Sequence, residues 1–496
     1  MVSRSLYFKK KKLIVALAAV GGMVLSSSAW ALPSFARQTG WSCAACHTSY
    51  PQLTPMGRMF KLLGFTTTNL QRQQKLQAKF GNSVGVLLSR VSQFSIFLQA
   101  SATNVAGGQA ALGGTSNSYT SPNNNIQFPQ QVSLFYAGEV TPHIGSFLHL
   151  TYSGGGSAGG GGGFNFDDSS IVWTHPWKFG TNNLLVTGVD VNNTPTAMDL
   201  WNTTPDWQAP FFYSDYSSWG AVPMPFIENS AGAGYPLVGV GTYAADIFGP
   251  NKANWLYADA DVYTNGQGTQ TNPVAGPGGT TGFASAFGNG PQGRLSGAAP
   301  YVRLAYQHDW GNWNWEVGAY GMWSSVYDNS VDNTLYNKAG GPIDTFDDYD
   351  LDTQLQWLNI NDNNNLTVRA SWVNEQQQFG AGSSISPNSS SGNLNYFNLN
   401  ATYWYHDHYG IQGGYRNVWG SANPGLYGAG FYSRSGSPDT SNEWIEASYL
   451  PWWNTRLSLR YVVYNKFRGV GAPSSSVSGY GASSYNTLEL LAWIAY

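Results

Sequence analysis

Apolar and polar residues alternate along most of the chain after residue 80. From Tyr349 to Trp357, leucine and aromatic residues occupy four of five alternate positions, and aspartate and glutamine occupy the four positions between them. The same period of two recurs over residues 256–263 and 456–463. A period of two is typical of a strand with one apolar and one polar face. The pattern therefore predicts an all-β protein.

The strand-like segments come in pairs that are joined by short turns and separated by much longer glycine- and asparagine-rich stretches. The short turns lie at residues 140–145, 174–183, 248–254, 308–313, 360–365, 405–410 and 450–455. Seven such turns and eight long loops predict a transmembrane antiparallel β-barrel of about 16 strands, because bacterial outer-membrane barrels have an even strand number. Both barrel ends are then expected on the side of the short turns, which is the periplasmic side.

The composition agrees with a barrel in lipid. Charged residues make up only 10% of the chain and aromatic residues 15%, whereas a soluble domain averages about a quarter charged residues. A closed barrel has no free strand edge, so it can stay unaggregated in a bilayer. A soluble β-sandwich is the alternative. Long glycine-rich loops and tryptophans at the segment ends favour the barrel, as does a last segment with apolar residues at alternate positions up to Tyr496.

The N-terminus has the features of a secretory signal peptide. Arg4 and the lysines at 9–12 precede an apolar stretch from Leu13 to Leu25, and a small-x-small cleavage motif ends at Ala31. We expect residues 1–31 to be removed. A retained membrane anchor is the alternative, but the apolar stretch is shorter than the ~20 residues that a spanning helix needs.

Both cysteines of the chain lie in one Cys-Ala-Ala-Cys-His run. This spacing in an exported protein is typical of covalent attachment of a c-type haem, in which Cys43 and Cys46 form the thioethers and His47 binds the iron. A disulfide and a zinc site are the alternatives. A zinc site would need a further cysteine ligand, which the chain lacks, and a disulfide leaves the adjacent histidine unexplained. The motif predicts one covalently bound haem c.

The sixth iron ligand is less well defined by the sequence. Met56 or Met59 could supply a thioether, although packing is the commoner role of a methionine beside apolar surface. Met198 and Met224 are more distant candidates. The remaining histidines, including the pair His406 and His408, are expected in turns or at strand ends.

Several charged residues are further candidates. Arg58 and Lys61 could pair with haem propionates, although exposed basic residues on a helix are usually only solvated. Five aspartates near the fifth long loop could attract ferrous ions at the outer rim, since hard oxygen ligands suit this cation; an ordinary polar rim is the alternative. These aspartates are Asp344, Asp347, Asp348, Asp350 and Asp352.

The expected organisation is a signal peptide over residues 1–31, a short α-helical monohaem cytochrome segment over 32–80 and the barrel over 81–496. Residues 32–80 are too few to bury a haem alone, because small domains need a metal, a disulfide or a partner surface. We therefore expect the barrel to complete the haem pocket, with the N-terminal segment on its periplasmic side or inside its lumen.

Residues 32–65 closely resemble the opening of the fused monohaem cytochrome–porins of acidophilic iron-oxidising bacteria. A weaker similarity to the porin part of that family covers residues 192–211. The residues of the first match, besides the haem motif, are Pro33, Phe35, Ala36, Arg37, Gln38, Thr39, Gly40, Pro51, Leu53, Pro55, Gly57, Arg58, Phe60 and Lys61.

The resemblance implies an outer-membrane oxidoreductase, a ferrous iron oxidase or iron:rusticyanin reductase. Such a protein takes electrons from extracellular Fe(II) and passes them through one haem c to a periplasmic carrier, the blue copper protein rusticyanin or a c-type cytochrome. Two alternatives stay open: a porin with a structural or sensory haem plug, and a cytochrome that exports electrons. No nucleic acid partner is expected.

Overall fold

A computed structural model describes residues 33–66, 93–108, 125–153, 163–180, 182–204, 212–227, 237–265, 295–327, 342–359, 361–383, 386, 389–427, 436–471 and 480–496. The expected signal peptide at 1–31, and the boundary between the cytochrome segment and the barrel near residue 80, lie outside these residues.

Sixteen antiparallel strands close into a single barrel. They are β3 Phe94–Val105, β4 Asn125–Thr141, β5 Ile144–Ser153, β6 Gly163–Phe179, β7 Asn183–Asn192, β8 Leu237–Phe248, β9 Asn254–Asn265, β10 Ala299–Trp310, β11 Trp313–Tyr327, β12 Ile343–Asn359, β13 Asn364–Gln378, β14 Ser391–Tyr405, β15 Tyr409–Gly420, β16 Thr440–Trp452, β17 Thr455–Lys466 and β18 Thr487–Ala495. The predicted fold class and strand number are confirmed.

Each barrel strand pairs with its neighbours in the sequence, and β18 closes the barrel on β3, with Leu490 opposite Ala102. Every one of the seven predicted short turns joins two adjacent strands. The start of β3 lies beside the β4–β5 turn, because Phe94 pairs with Tyr136, and the end of β18 lies beside the start of β3. Both barrel ends are therefore at the short-turn rim.

The two faces of the wall differ as the alternation predicts. Leu256 and Val262 of β9 are exposed on the outside, whereas Asp259 and Asp261 of the same strand are buried on the lumen side. Exposed tryptophans and tyrosines follow the short-turn rim, where an aromatic belt would meet the membrane interface; they include Trp310, Trp313, Tyr405, Tyr409, Tyr449 and Trp452. Across the described residues, no helix is long and apolar enough to cross a bilayer.

Residues 33–66 form a small unit inside the barrel, which we call the plug. It contains helices α1 Pro33–Thr39, α2 Cys43–Cys46 and α3 Pro55–Leu62, and a hairpin of β1 His47–Ser49 and β2 Gln52–Leu53. Thr54 caps α3 because its Oγ1 accepts a hydrogen bond from the N–H of Gly57 at 3.1 Å. The described residues also contain a fourth helix, α4 Pro424–Tyr427, and 3-10 helices at Ser218–Ala221, Pro250–Lys252 and Ala482–Tyr485.

The plug is hydrogen-bonded to strands on several sides of the barrel. The N–H of Ser34 donates to Ser95 Oγ of β3 at 3.0 Å, and the Tyr243 hydroxyl of β8 donates to the Leu62 carbonyl at 2.7 Å. On the far side, Gln52 Nε2 donates to Thr402 Oγ1 of β14 at 3.2 Å. These contacts place the plug within the lumen.

A second layer also crosses the lumen. Residues 193–204 and 212–227, which we call the inner segment, follow β7 and fold inward. The N–H of Ser214 donates to Glu489 Oε1 of β18 at 2.8 Å, and Trp201 Nε1 donates to Gln307 Oε1 of β10 at 2.7 Å. The inner segment also meets the plug, since Asn202 Nδ2 donates to the Pro51 carbonyl at 2.8 Å.

Candidate haem site

The haem motif lies on a short helix that faces a cavity. Helix α2 holds Cys43 and Cys46, and the N–H of His47 donates to the Cys43 carbonyl at its end. This single turn brings both thiols and the imidazole to the same side, where all three line the cavity. Neither of these two described cysteines forms a disulfide.

The cavity is walled mainly by aromatic and apolar side chains. Three parts of the protein contribute to it. The barrel wall supplies Phe147, the inner segment supplies Ala197, and the plug supplies Phe35, Trp41, Tyr50, Phe60 and Phe65. An adjoining cavity also borders Cys43 and His47. The plug alone thus does not form the pocket, which requires the wall and the inner segment.

His47 is suited to bind a metal ion through its ring. Its Nδ1 is buried and has no hydrogen-bond partner among the described residues. Burial lowers the pKa of His47 to about 4, so the ring is neutral over most of the pH range. The neutral imidazole is the form that binds metals. Two thiols and a neutral histidine beside an aromatic cavity fit a c-type haem.

Helix α3 packs directly onto the turn that bears the cysteines. A Cβ at Gly57 would lie 2.2 Å from the Cys46 carbonyl oxygen, so this position has room only for glycine. The N–H of Thr54 donates to the same carbonyl at 2.9 Å, and Thr54 Oγ1 donates to the Ala45 carbonyl at 2.6 Å. Close backbone contact therefore fixes the position of the haem motif within the plug.

The candidate methionine ligands lie apart from the cavity lining. Met56 is 42% exposed, and Met59 packs against an apolar cluster that includes Leu62 and Val172. Met198 belongs to the same cluster, and Met224 packs against a different one. The sixth ligand at Met56 or Met59 stays a prediction.

Arg58 and Lys61 are buried, so the alternative that they are only solvated is wrong, and their pairing with haem propionates stays a prediction. Arg58 donates to the Leu53 carbonyl and Gln356 Oε1 at 2.9 Å each and to Asn314 Oδ1 at 2.6 Å. Lys61 borders the cavity and donates to the Asp199 carbonyl at 2.6 Å. Burial lowers the pKa of Arg58 to about 10 and that of Lys61 to about 8, so both are cationic in acid. Both side chains attach the plug to its surroundings.

The aspartates near the fifth long loop are not arranged as an outer rim. Strand β12 already begins at Ile343, so these residues lie within the strand, and Asp348, Asp350 and Asp352 are buried on its lumen face. Asp352 accepts two hydrogen bonds from Arg303, at 2.9 and 2.8 Å. Asp344 accepts from Ser383 Oγ at 3.0 Å, and Asp347 is on the outward face.

The histidines follow the sequence expectation with one exception. His406 and His408 are exposed in the turn between β14 and β15. His149, however, lies in the middle of β5, and its ring stacks on Phe135 at a centroid distance of 4.2 Å. In the sequence, His149 stands two residues after Phe147 and two residues before Thr151 in an alternating segment. This spacing indicates that the three side chains share one face of the strand.

Comparisons with solved structures find similar barrels of low sequence identity. OmpF of Salmonella typhi, in a complex with daunomycin, is 11% identical with a TM-score of 0.42, covering 81% of this chain and 97% of that one. The anion-selective porin from Comamonas acidovorans is 12% identical with a TM-score of 0.41, covering 81% and 98%. The outer membrane channel DcaP of Acinetobacter baumannii is 13% identical with a TM-score of 0.40, covering 81% and 96%. No protein-family model and no curated protein sequence matches the chain.

Proposed function

We propose that the protein is an outer-membrane oxidoreductase that takes electrons from extracellular Fe(II) and delivers them to a periplasmic carrier. The observation that carries the proposal is the position of Cys43, Cys46 and His47 on one aromatic cavity inside a closed barrel. In this account Cys43 and Cys46 hold one haem c covalently, and His47 binds its iron. When bound, the haem supplies a one-electron redox centre.

The protein's own residues set the surroundings of that centre. Phe35, Phe60 and Phe65 of the plug form a group of aromatic rings with Phe147 of the wall, with centroid distances of 5.1 to 6.4 Å. Such a shell excludes water and lowers the local dielectric constant, which is one of the means by which a protein tunes a redox centre.

The outer surface of the barrel supports a membrane location. Its strands expose leucine, isoleucine and valine outwards and bury polar residues towards the lumen, and aromatic residues follow the short-turn rim. This is the arrangement of barrels in bacterial outer membranes. Because short turns are periplasmic in such barrels, the proposal puts the plug, which bonds to the first residues of β3, near the periplasm.

The filled lumen favours electron passage over solute passage. The plug reaches β3, β8, β12 and β14, and the inner segment reaches β10, β12 and β18. Two hydrogen-bonded layers of this kind narrow the route that a solute could take, whereas an electron needs no open channel. The contacts therefore favour the redox proposal over the porin alternative.

The resemblance to the iron-oxidising cytochrome–porins supplies the expected partners, Fe(II) outside and rusticyanin or a c-type cytochrome in the periplasm. The low content of charged residues, 10% of the chain, suits acidic surroundings. Carboxylates change state near their reference pKa of about 4, so a chain with few of them changes its net charge little in acid.

The test is spectroscopic. The haem-loaded protein is purified in detergent, Fe(II) is added at acidic pH, and the haem absorbance is followed. We expect conversion to the spectrum of reduced haem. His47→Ala should abolish it, whereas His406→Ala, a control in an exposed turn, should behave as wild type. A wild-type haem that Fe(II) does not reduce would overturn the proposal, and rapid swelling of protein-bearing liposomes in sugar solutions would support the porin alternative.

A further inference from the structure

We propose that Asp190, Asp259 and Asp261 form a binding site for a hard divalent cation on the lumen wall. Each carboxylate offers one oxygen, and these oxygens all lie within 4.8 Å of one another. All three residues are buried. The site lies on β7 and β9 and uses none of the residues assigned to the haem, so it stands or falls independently of the proposed function.

The sheet register brings two of the carboxylates together across a glycine. Asp190 of β7 and Asp261 of β9 both pair with Gly241 of the strand between them. A Cβ at Gly241 would lie 1.2 Å from Asp261 Oδ1, so the Asp261 carboxylate occupies the space that a side chain on β8 would fill. Because residue 241 has no side chain, the acidic side chains of the two strands that flank β8 can approach each other.

Asp259 is the third carboxylate and carries an independent observation. It is 3% exposed, and neither of its oxygens has a hydrogen-bond partner among the described residues. Its register partner on β10 is Arg303, but that guanidinium donates to Asp352 and Thr203 instead. A buried carboxylate with no donor is costly, and this one is directed at Asp190 and Asp261.

Neighbouring side chains hold the other two carboxylates in place. Asn192 Nδ2 donates to Asp190 Oδ2 at 2.5 Å and to Asp261 Oδ2 at 3.3 Å, and the Tyr263 hydroxyl donates to Asp261 Oδ2 at 2.6 Å. The opposite oxygens, Oδ1 of Asp190 and Oδ1 of Asp261, have no partner among the described residues. Each carboxylate is therefore oriented by one oxygen and leaves the other for a ligand.

The charge around the cluster also points to a cation. Arg303, which faces Asp259 in the register, is within 3.5 Å of Asp199, Glu316 and Asp352. Its charge is already opposed by these three groups, so little of it is left for the cluster. Three carboxylates at close range repel one another unless protons or a cation intervene. An all-oxygen anionic set suits Mg²⁺, Ca²⁺, Mn²⁺ or Fe²⁺.

The experiment uses the full-length haem-loaded protein in detergent, treated with a chelator and titrated at neutral pH with Mn²⁺, which is followed by its electron paramagnetic resonance signal. We expect one Mn²⁺ bound per chain. Asp259→Asn should weaken binding by at least about tenfold, because affinity follows the number of charged ligands. Gly241→Ala keeps all three carboxylates but displaces Asp261, and should weaken binding about tenfold or more as well.

Asp350→Asn is the matched control, because Asp350 is another buried lumen aspartate with no partner for either oxygen among the described residues. It should leave Mn²⁺ binding unchanged. Assembly of each variant is checked by its heat-dependent mobility on gels. If Asp259→Asn does not assemble, the Mn²⁺ affinity of Gly241→Ala tests the site. Absence of bound Mn²⁺ in the wild type would overturn the site, as would wild-type affinity in both cluster variants or an equal loss in the control.

Discussion

The lumen contains two regions in which buried polar groups have different surroundings. Beside Cys43 and His47, the cavity wall is mainly aromatic and apolar, and His47 Nδ1 has no hydrogen-bond partner among the described residues. Around Arg303, the wall is crowded with charge, and three carboxylates lie within 3.5 Å of one guanidinium. In the first region open space borders two thiols and a neutral imidazole, whereas in the second the guanidinium of Arg303 is already shared among these three carboxylates.

The difference separates a binding site from a structural network. The charge of Arg303 is opposed by Asp199, Glu316 and Asp352, so these four groups need no further ligand. A cavity with two thiols and a neutral imidazole is incomplete without a ligand.

Replacing both cysteines, Cys43→Ser with Cys46→Ser, should abolish covalent haem attachment, because no other thiol exists in the chain. Denaturing gels stained for haem and the intact mass of the protein measure the effect. Ser42→Ala, next to the motif and without a side-chain cap hydrogen bond, serves as the control and should keep the haem. Covalent haem that persists in the double variant would contradict the assignment.

Arg58→Ala should lower the free energy of unfolding by about 3 kcal/mol, because a buried acceptor left without its donor costs about 1–3 kcal/mol and Arg58 serves three acceptors. Thermal unfolding in detergent measures it. Lys178→Ala, at an exposed position, should change little. An unchanged unfolding midpoint for Arg58→Ala would show that this side chain does not hold the plug.

Gly57→Ala should destabilise the plug by about 2 kcal/mol through overpacking, because the added methyl group would meet the Cys46 carbonyl at 2.2 Å. The yield of haem-loaded protein should fall with it, as measured by the ratio of haem to protein absorbance. Gly471→Ala has its closest neighbouring atom at 4.0 Å and is the control. Equal haem loading of both variants would refute close packing at Gly57.

Asp352→Asn should cost only about 1 kcal/mol, because Arg303 keeps Asp199 and Glu316 as neighbours at 3.4 and 3.5 Å. Unfolding in detergent measures the loss, and haem loading should be unchanged. Asp362→Asn, in an exposed turn, is the control. A loss of haem from Asp352→Asn would mean that the network and the cavity are coupled, against the separation argued above.

The barrel can be predicted from the sequence because the patterns that indicate it are local. Alternation within a segment and turn residues between segments do not depend on distant contacts, and both the strand number and the seven turns agree with the structure. The haem motif is local too. His149 could have been recognised in the same way, as a residue on the inward positions of β5.

The burial of Arg58 and Lys61 could not be read from the sequence. Arg58 bonds to side chains that follow it by 256 and 298 residues, and Lys61 bonds to the inner segment 138 residues away. Alternation also gives the face of an aspartate but not the height at which it lies along the barrel. For that reason the sequence pattern alone places Asp350 and Asp352 near a rim, whereas the structure buries them within the lumen.

The proposed function requires that electrons cross the membrane while iron does not. Liposomes that carry the haem-loaded protein and enclose hexachloroiridate(IV), a stronger oxidant than aqueous Fe(III), test it directly when Fe(II) is added outside at acidic pH. We expect the enclosed hexachloroiridate(IV) to be reduced while the iron content of the washed liposomes stays at background, and we expect His47→Ala liposomes to show no reduction. Hexachloroiridate(IV) that stays oxidised, or is reduced only in proportion to the iron that enters, would contradict it.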